Sequence, residues 1–492
     1  MLASKPGCSE ASNRASTIGM QPTGTGPRLL WEIVAAGAVL RLIALGHKSF
    51  WLDEIASVVV ARTPSNWFWR WLWHEEGNMT LYYVLLRPWL HLGLSETTVR
   101  LLSVIPGVAS IALIYVLAAR LFGKSTGMLA ALFLAIHTCA VVHSQEARSY
   151  SLLVLGTIAA TYLFVRLIEA PTFGRAFIYS LVAGATLYCH YFGMLVIFSH
   201  LLSVAFLPKQ QQPWKQLVVA IVLLAIIAMP VAWMIHLQDP GHINWVQPPS
   251  WLEFYHLGAF LAAESGKGVG SVLLALDLVL LGFFFVRLKQ VWSLRDVGLQ
   301  RWRYGLVASC LLAPVAISLL VSPVKPIFFH RFLIICLPAW VLMTAVGAEL
   351  IGSHRWRTAA IAGVCLLSVI STGISYTRVR EDWRGVATYL IAQAGPQDRV
   401  LYYEPIAYFA TENYRDWLPE GNIARPAGVK VVLPSQEWQK RIEDAQHVWL
   451  VTYPAKLHDQ TQADIEAELQ KRMAVVGQKS FRAVTVTEYH TR

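Results

Sequence analysis

The most constraining feature of the chain is a series of apolar segments, each near the length of a bilayer crossing, with charge confined to the connections between them. They are 29–46, 99–119, 126–142, 151–168, 176–192, 194–207, 216–235, 270–287, 305–321, 332–350 and 358–375. A helix needs about 20 mostly apolar residues to cross the hydrocarbon, so 194–207 must borrow length from its flanks. Only backbone that satisfies its own hydrogen bonds is tolerated there, which makes these segments helices. Composition agrees, with 55% hydrophobic and 14% charged residues against roughly a quarter charged in soluble domains. The expected fold class is a polytopic α-helical membrane protein with about 11 transmembrane helices.

Charge sets the orientation. With the N-terminus inside, Arg120 and Lys124, Arg166 and Arg175, Lys209 and Lys215, Arg287 to Arg303, and Arg355 and Arg357 fall in cytoplasmic connections. Asp53, Glu54, Glu75, Glu76, Glu146, Asp239, Glu253 and Glu264 fall opposite, as the positive-inside rule requires. The net charge of +11 is spread over these loops and forms no nucleic-acid face. Residues 1–28 are rich in Ser, Gly, Pro and Thr and read as a disordered cytoplasmic tail before a retained first span. Of the 6 cysteines, all but Cys8 lie in apolar segments with no paired spacing, so neither a disulfide framework nor a zinc site is indicated.

Segment 79–94 is apolar but broken by Arg87, Pro88 and His91, and counting it as a span would invert every later loop. It reads instead as an interfacial or re-entrant helix within one long extracytoplasmic loop, 47–98. "NWFWRWLWHEE" (66–76), rich in Trp, supports this reading. After residue 377 the texture changes. Strand-like runs at 399–403, 429–434, 447–453 and 482–489 alternate with helix-like stretches at 382–394, 435–445 and 460–473. These point to a small extracytoplasmic α/β domain over 378–492, following a transmembrane domain over 29–377.

Charge is costly beside a bilayer, so ionisable residues there are the first functional candidates. Asp53 and Glu54 stand where the first span exits; a solvated surface pair is the plain alternative. "HSQEARSY" (143–150) compresses Gln145, Glu146, Arg148 and Tyr150 into one short turn on the same side, where a local Glu146–Arg148 pair would be the bland reading. His190 and Tyr191 of "CHYFG" stand at another exit on that face, as candidates or as interfacial anchors. Lys325, His330 and Arg331 of "SPVKPIFFHRF" suit a phosphate, or merely anionic lipid. "TLYY" adds Tyr82 and Tyr83. Arg41, inside the first span, reads as a snorkelling side chain, and Lys48, Arg62 and Arg70 as headgroup anchors.

In this order, the Asp-Glu after the first span, the Leu-Tyr-Tyr, "SQEARSY", "HYF" and the Pro…Arg approach to a late span resemble the GT-C membrane glycosyltransferases. The resemblance covers roughly residues 30–350. It is nearest the protein O-mannosyltransferase-like bacterial branch that includes the lipid A aminoarabinose and galacturonosyl transferases. "DWRGVATYL" is similar to the opening of the C-terminal domain in many bacterial members. Where many relatives have His or Lys before Pro-Pro-Leu-Tyr, this chain has Asn78-Met79-Thr80-Leu81-Tyr82, so no phosphate-binding role is carried over to Asn78.

The resemblance implies an inverting glycosyltransferase of a bacterial inner membrane. It would move a sugar from a polyprenyl-phosphate-linked donor to an acceptor hydroxyl of a lipid, glycan or protein at the extracytoplasmic face. Asp53 would be the base or acceptor-orienting carboxylate, with Glu54 beside it. Arg331, with Lys325 or Arg148, would clamp the donor phosphate. Glu146, Gln145, Tyr82, Tyr83, His190 and Tyr191 would line the sugar or acceptor pocket. No cofactor is implied; a divalent cation fits the chemistry of acids beside a phosphate without any ligand spacing that demands it. The alternatives are a secondary transporter or flippase of lipid-linked sugars, suggested by the span number and Arg41, and a receptor or scaffold acting through the C-terminal domain.

Overall fold

The computed structural model describes residues 25–492 apart from 239–244, 266, 295–297, 379, 396, 404, 418–429, 433–441, 443–444 and 454–458. The expected tail therefore lies outside the described residues over 1–24, as does nearly all of the helix expected at 435–445.

Each apolar segment forms helix. In chain order these are α1 (Thr25–Leu42), α5 (Glu96–Phe122), α6 (Lys124–Ile136) with α7 (Thr138–Ser144), α8 (Tyr150–Glu169), α9 (Phe173–Cys189) and α10 (Gly193–Ser203). They continue with α11 (Trp214–Leu237), α13 (Val269–Ser293), α14 (Gln300–Val321), α15 (Leu337–Glu349) and α16 (His354–Thr377). Among the described residues 7 helices are long and apolar enough to cross a membrane, or 8 if the bent pair α6–α7 is one span. α15, with the 3₁₀ turn Phe332–Cys336 before it, is the centre of the bundle, since 89% of that window is buried in protein. The corresponding share is 22% for α11 and for α16, whose apolar faces point outward.

The α6–α7 pair bends by 55° at His137, leaving carbonyls at the end of α6 without intrahelical donors. Arg41 fills that gap. Its Nη1 donates to Ala135 O at 2.8 Å and Gly37 O at 2.9 Å, and its Nη2 to Leu134 O at 3.2 Å. Its Nε donates to Ser144 Oγ in α7 at 3.2 Å. Arg41 is buried and does not snorkel as expected, because broken-helix carbonyls satisfy its guanidinium inside the protein. Gly107 of α5 makes room for this, since a Cβ there would meet Ser144 Oγ at 2.1 Å.

The long first loop folds into α2 (Leu52–Arg62), α3 (Ser65–His74) and α4 (Thr80–Trp89). Phe68 and Leu72 of α3 are buried while Trp67 and Trp69 are exposed, so the Trp-rich segment forms a helix with one buried face. A helix not anticipated, α12 (Trp251–Ala263), precedes α13.

Beyond α16 come α17 (Trp383–Gln393), β1 (Arg399–Tyr402), α18 (Pro405–Trp417), β2 (Lys430–Val432), β3 (His447–Thr452), α19 (Asp459–Arg472), β4 (Met473–Phe481) and β5 (Val484–Thr491). The strands form one mixed sheet in the order β2-β1-β3-β5-β4, parallel through its first three members and antiparallel thereafter. This sheet is not a detached module. One apolar core joins Phe50, Ile55, Val58 and Leu86 of the first loop to Trp383, Val386, Tyr402 and Trp449. Tyr414 of α18 adds polar ties: its hydroxyl accepts from Phe50 N at 2.6 Å and donates to Glu96 Oε1 at 2.9 Å.

Candidate active site

The first turn of α2 carries Asp53 and Glu54, and one helical step of about 100° sends them to different surroundings. Glu54 turns inward. Arg100 of α5 grips it with two donors, Nε to Oε1 at 2.8 Å and Nη2 to Oε2 at 2.7 Å, while Ala147 N donates to Oε1 at 2.8 Å. Trp51 N adds a bond to Oε2 at 3.3 Å. The remaining donors of Arg100 hold the carbonyls of Leu45, Lys48 and Ser49. Glu54 is fully buried and its carboxylate saturated, so its placement is that of a girder joining α2, α5 and the 145–149 turn. This differs from the catalytic position expected for it.

Asp53 turns outward. Its side chain is 40% exposed and its nearest cation is Arg148, Nη2 to Oδ2 at 4.0 Å. Arg148 is held in place by Nη1 bonds to Asp53 O at 3.2 Å and Ser57 Oγ at 3.4 Å, and among the described residues its Nε has no partner. The Asp53 carboxylate thus stays open to a hydroxyl.

A cavity of about 600 Å³ lies beside the start of α2. Its lining gathers Lys48, Trp51, Gln145, Glu146, Arg331 and Arg380, with Glu54, Arg100, Glu264, Arg378 and Arg482 completing the charged wall. Six cations thus face three carboxylates. The Trp51 ring lies under two of the cations, Arg380 at 4.1 Å and Arg331 at 5.0 Å from its centroid. Glu146 pairs with Arg380 at 2.8 Å and with His143 Nδ1 at 3.0 Å. Burial opposes charge on Glu146, but Arg380, His143 and Arg331 together hold its carboxyl well below the usual carboxylate range. Glu264 takes Arg378 at 3.5 Å and Arg380 at 3.9 Å. Burial, then the neighbouring Arg100 and Arg380, push the Lys48 ammonium down from its ordinary value.

The sequence-derived set therefore converges in part. Arg331, Glu146 and Gln145 line the cavity, whereas Asp53, next in the chain to the lining residue Glu54, and its neighbour Arg148 are not part of that wall. Gln145 also spends its amide on the end of α1, donating to Arg41 O at 3.1 Å and Ile43 O at 2.7 Å. Tyr82 and Tyr83 do not line an open pocket as expected. Both are buried in the core of the first loop, Tyr82 bonded to Ser103 Oγ at 3.0 Å and Tyr83 donating to Glu76 at 3.1 Å. His190 is buried between Phe192 and Phe332 with Nδ1 accepting from Phe192 N. Tyr191 bonds Gln238 at 3.1 Å. Lys325 is exposed in the turn after α14 and is absent from the cavity wall, because Pro326 to His330 carry the chain onward before Arg331 reaches it.

Sequence reading missed Arg380, Arg378, Glu264, Arg100 and Arg482, and left Lys48 to the headgroups. One signal was present: "RVREDW" (378–383) crowds charge just past the last apolar segment, on the same face as the other candidates. Among the described residues, no three His, Cys, Asp or Glu side chains gather in a way that would hold a metal ion.

A segment of the sequence, residues 81–233, matches the family described as dolichyl-phosphate-mannose-protein mannosyltransferase. No curated protein matches the chain. Among solved structures, ArnT from Cupriavidus metallidurans in the apo state superposes with a TM-score of 0.61 at 12% identity, covering 94% of this chain and 98% of that one. The same protein bound to undecaprenyl phosphate gives 0.55 at 12% identity, with 95% and 98% covered. The archaeal oligosaccharyltransferase AglB from Archaeoglobus fulgidus, in complex with an inhibitory peptide and a dolichol-phosphate, gives 0.51 at 11% identity, with 87% and 69% covered. A segment similar to the mannosyltransferase family is thus carried on a fold shared with the ArnT and AglB structures.

Proposed function

We propose that the chain is an inverting transferase that moves a sugar from a polyprenyl-phosphate donor to an acceptor hydroxyl at the extracytoplasmic face of a bacterial inner membrane. The observation that carries this reading is the start of α2. There an open carboxylate, Asp53, lies two residues from Trp51, whose ring is covered by Arg331 and Arg380 on the wall of a cationic cavity. The candidate base and the ring on which the anion clamp is stacked are thus two residues apart. The undecaprenyl phosphate bound by the similar ArnT structure supports a lipid phosphate as the anion. The distribution of Lys and Arg among the loops supports the side, and with it a transmembrane domain over 29–377 and an extracytoplasmic domain over 378–492.

In this scheme the acceptor oxygen attacks the anomeric carbon from the face opposite the phosphate. The bond between that carbon and the phosphate oxygen breaks, and its electron pair leaves with the phosphate. Arg331 and Arg380 stabilise the charge that builds there, in a site where such donors are worth far more than in bulk water. The acceptor proton passes to Asp53, fixed by Arg148 at its side. Glu146, kept ionised by Arg380 and His143, accepts hydroxyl hydrogen bonds from the sugar. Glu54 shapes the turn and takes no proton.

The test supplies purified protein with polyprenyl-phosphate sugars and an envelope extract as acceptor. Asp53→Asn should cut turnover by about 10²- to 10⁴-fold while polyprenyl-phosphate binding persists. Full transfer by that variant removes Asp53 from the chemistry, and movement of labelled lipid across vesicles without any new glycoside would favour transport instead.

A further inference from the structure

Three non-glycine residues among those described have left-handed backbone, Ala44 (φ 56°), Glu264 (φ 62°) and Arg482 (φ 58°), and all three line the same cavity. Such conformations disfavour side chains, and they persist where function holds them. For Glu264 the reason is visible, since its carboxylate meets Arg378 and Arg380. Arg482 has no such account. It stands in the two-residue connection between Phe481 and Val484, the paired ends of β4 and β5, at a position that hairpins normally give to glycine. Its side chain is exposed, and among the described residues it has no carboxylate partner.

The hairpin tip is nonetheless fixed. Arg482 forms an antiparallel backbone bridge with Glu381. The ring of Phe481 packs on Tyr389 of α17 at 5.5 Å, and Lys479 covers both rings. The C-terminal sheet thus delivers one cation to a cavity otherwise built by the membrane helices and their loops. Of the cavity's cations, Arg100, Arg378 and Arg380 are neutralised by Glu54, Glu264 and Glu146. Among the described residues Lys48, Arg331 and Arg482 have no carboxylate at ion-pair distance, three positive charges against the one negative charge of a phosphodiester.

We infer that Arg482 is a substrate-binding residue, forming with Lys48 a second oxyanion subsite in the cavity beside the one assigned to Arg331. Its ligand is a phosphate or carboxylate group of the substrate. This rests on the transferase reading for its setting, but its test reads binding without sugar transfer. Tryptophan fluorescence, to which Trp51 in the cavity wall contributes, follows two titrations of detergent-solubilised full-length protein. One uses polyprenyl phosphate, and the other uses inorganic phosphate added to protein saturated with polyprenyl phosphate. Wild type is compared with Arg482→Gly, which suits the left-handed backbone and so should fold, and with Arg482→Lys, which keeps the charge.

If the donor supplies the oxyanion, Arg482→Gly weakens polyprenyl phosphate by about tenfold, the effect of one charge-assisted hydrogen bond, and Arg482→Lys recovers much of it. If the acceptor supplies it, polyprenyl-phosphate affinity holds while the second, inorganic-phosphate event is lost in the glycine variant and kept in the lysine variant. Glycine and wild-type protein that agree in both titrations overturn the inference and leave the transferase reading standing. Wild type that ignores polyprenyl phosphate yet binds inorganic phosphate through Arg482 does the reverse.

Discussion

Asp53 and Glu54 are adjacent in the chain and opposite in physical situation. Glu54 is fully buried with four hydrogen bonds, whereas Asp53 is partly exposed with one cation at the limit of an ion pair. Their substitutions should therefore separate cleanly. Glu54→Gln leaves the Arg100 charge buried without a countercharge, a loss on the order of 3–5 kcal/mol, and should lower the thermal midpoint and the yield of folded protein. Asp53→Asn should leave the midpoint near wild type and fail only in turnover. Two midpoints that fall equally would mean that Asp53 is also structural. Nothing local to "FWLDEIA" told the two acids apart. The partner that claims Glu54 is 46 positions away on α5, and only the folded chain brings it there. Arg380 was harder still, since its role depends on Trp51, the far end of the chain's membrane domain.

At the scale of elements, the apolar runs were legible because hydrocarbon leaves a spanning chain no other hydrogen-bonded solution. β1, β2, β3 and β5 were legible as strand-like apolar runs. β4 was not, because it is the edge of the sheet and most of its side chains are exposed, so its sequence shows no apolar face. The break between α6 and α7 was invisible as well, since His137 does not announce a bend. Its support was misread with it: Arg41 looked like a snorkelling residue and proves to cap the broken helix. Arg41→Leu should strand the Leu134 and Ala135 carbonyls, at about 1–3 kcal/mol for each buried group left unsatisfied. Thermal unfolding in detergent checks this. A variant as stable as wild type would show that water or a local repacking replaces the guanidinium.

The whole molecule places its C-terminal sheet against the first loop so that one residue joins both to the start of α2. Glu381 Oε2 accepts from Leu52 N at 2.9 Å and from Trp383 Nε1 at 3.0 Å, while Oε1 accepts from Tyr453 OH at 3.1 Å. Leu52 lies between Trp51 and Asp53, so the acid, the stacked arginines and the sheet share a single anchor. Burial raises the Glu381 pKa, which the hydrogen bonds from Trp383, Leu52 and Tyr453 only partly oppose. Glu381→Leu keeps most of the bulk but removes both acceptor oxygens, so the tie to α2 and the tie to Tyr453 both fail. Displacing a reacting group by about 1 Å can cost on the order of 10²-fold in rate. Turnover should accordingly drop by about 10- to 100-fold, with polyprenyl-phosphate affinity little changed because Arg331 and Arg380 remain. Wild-type turnover in Glu381→Leu would show that the sheet merely sits on the membrane domain, and that the geometry of Asp53 is set by the Arg100–Glu54 girder alone.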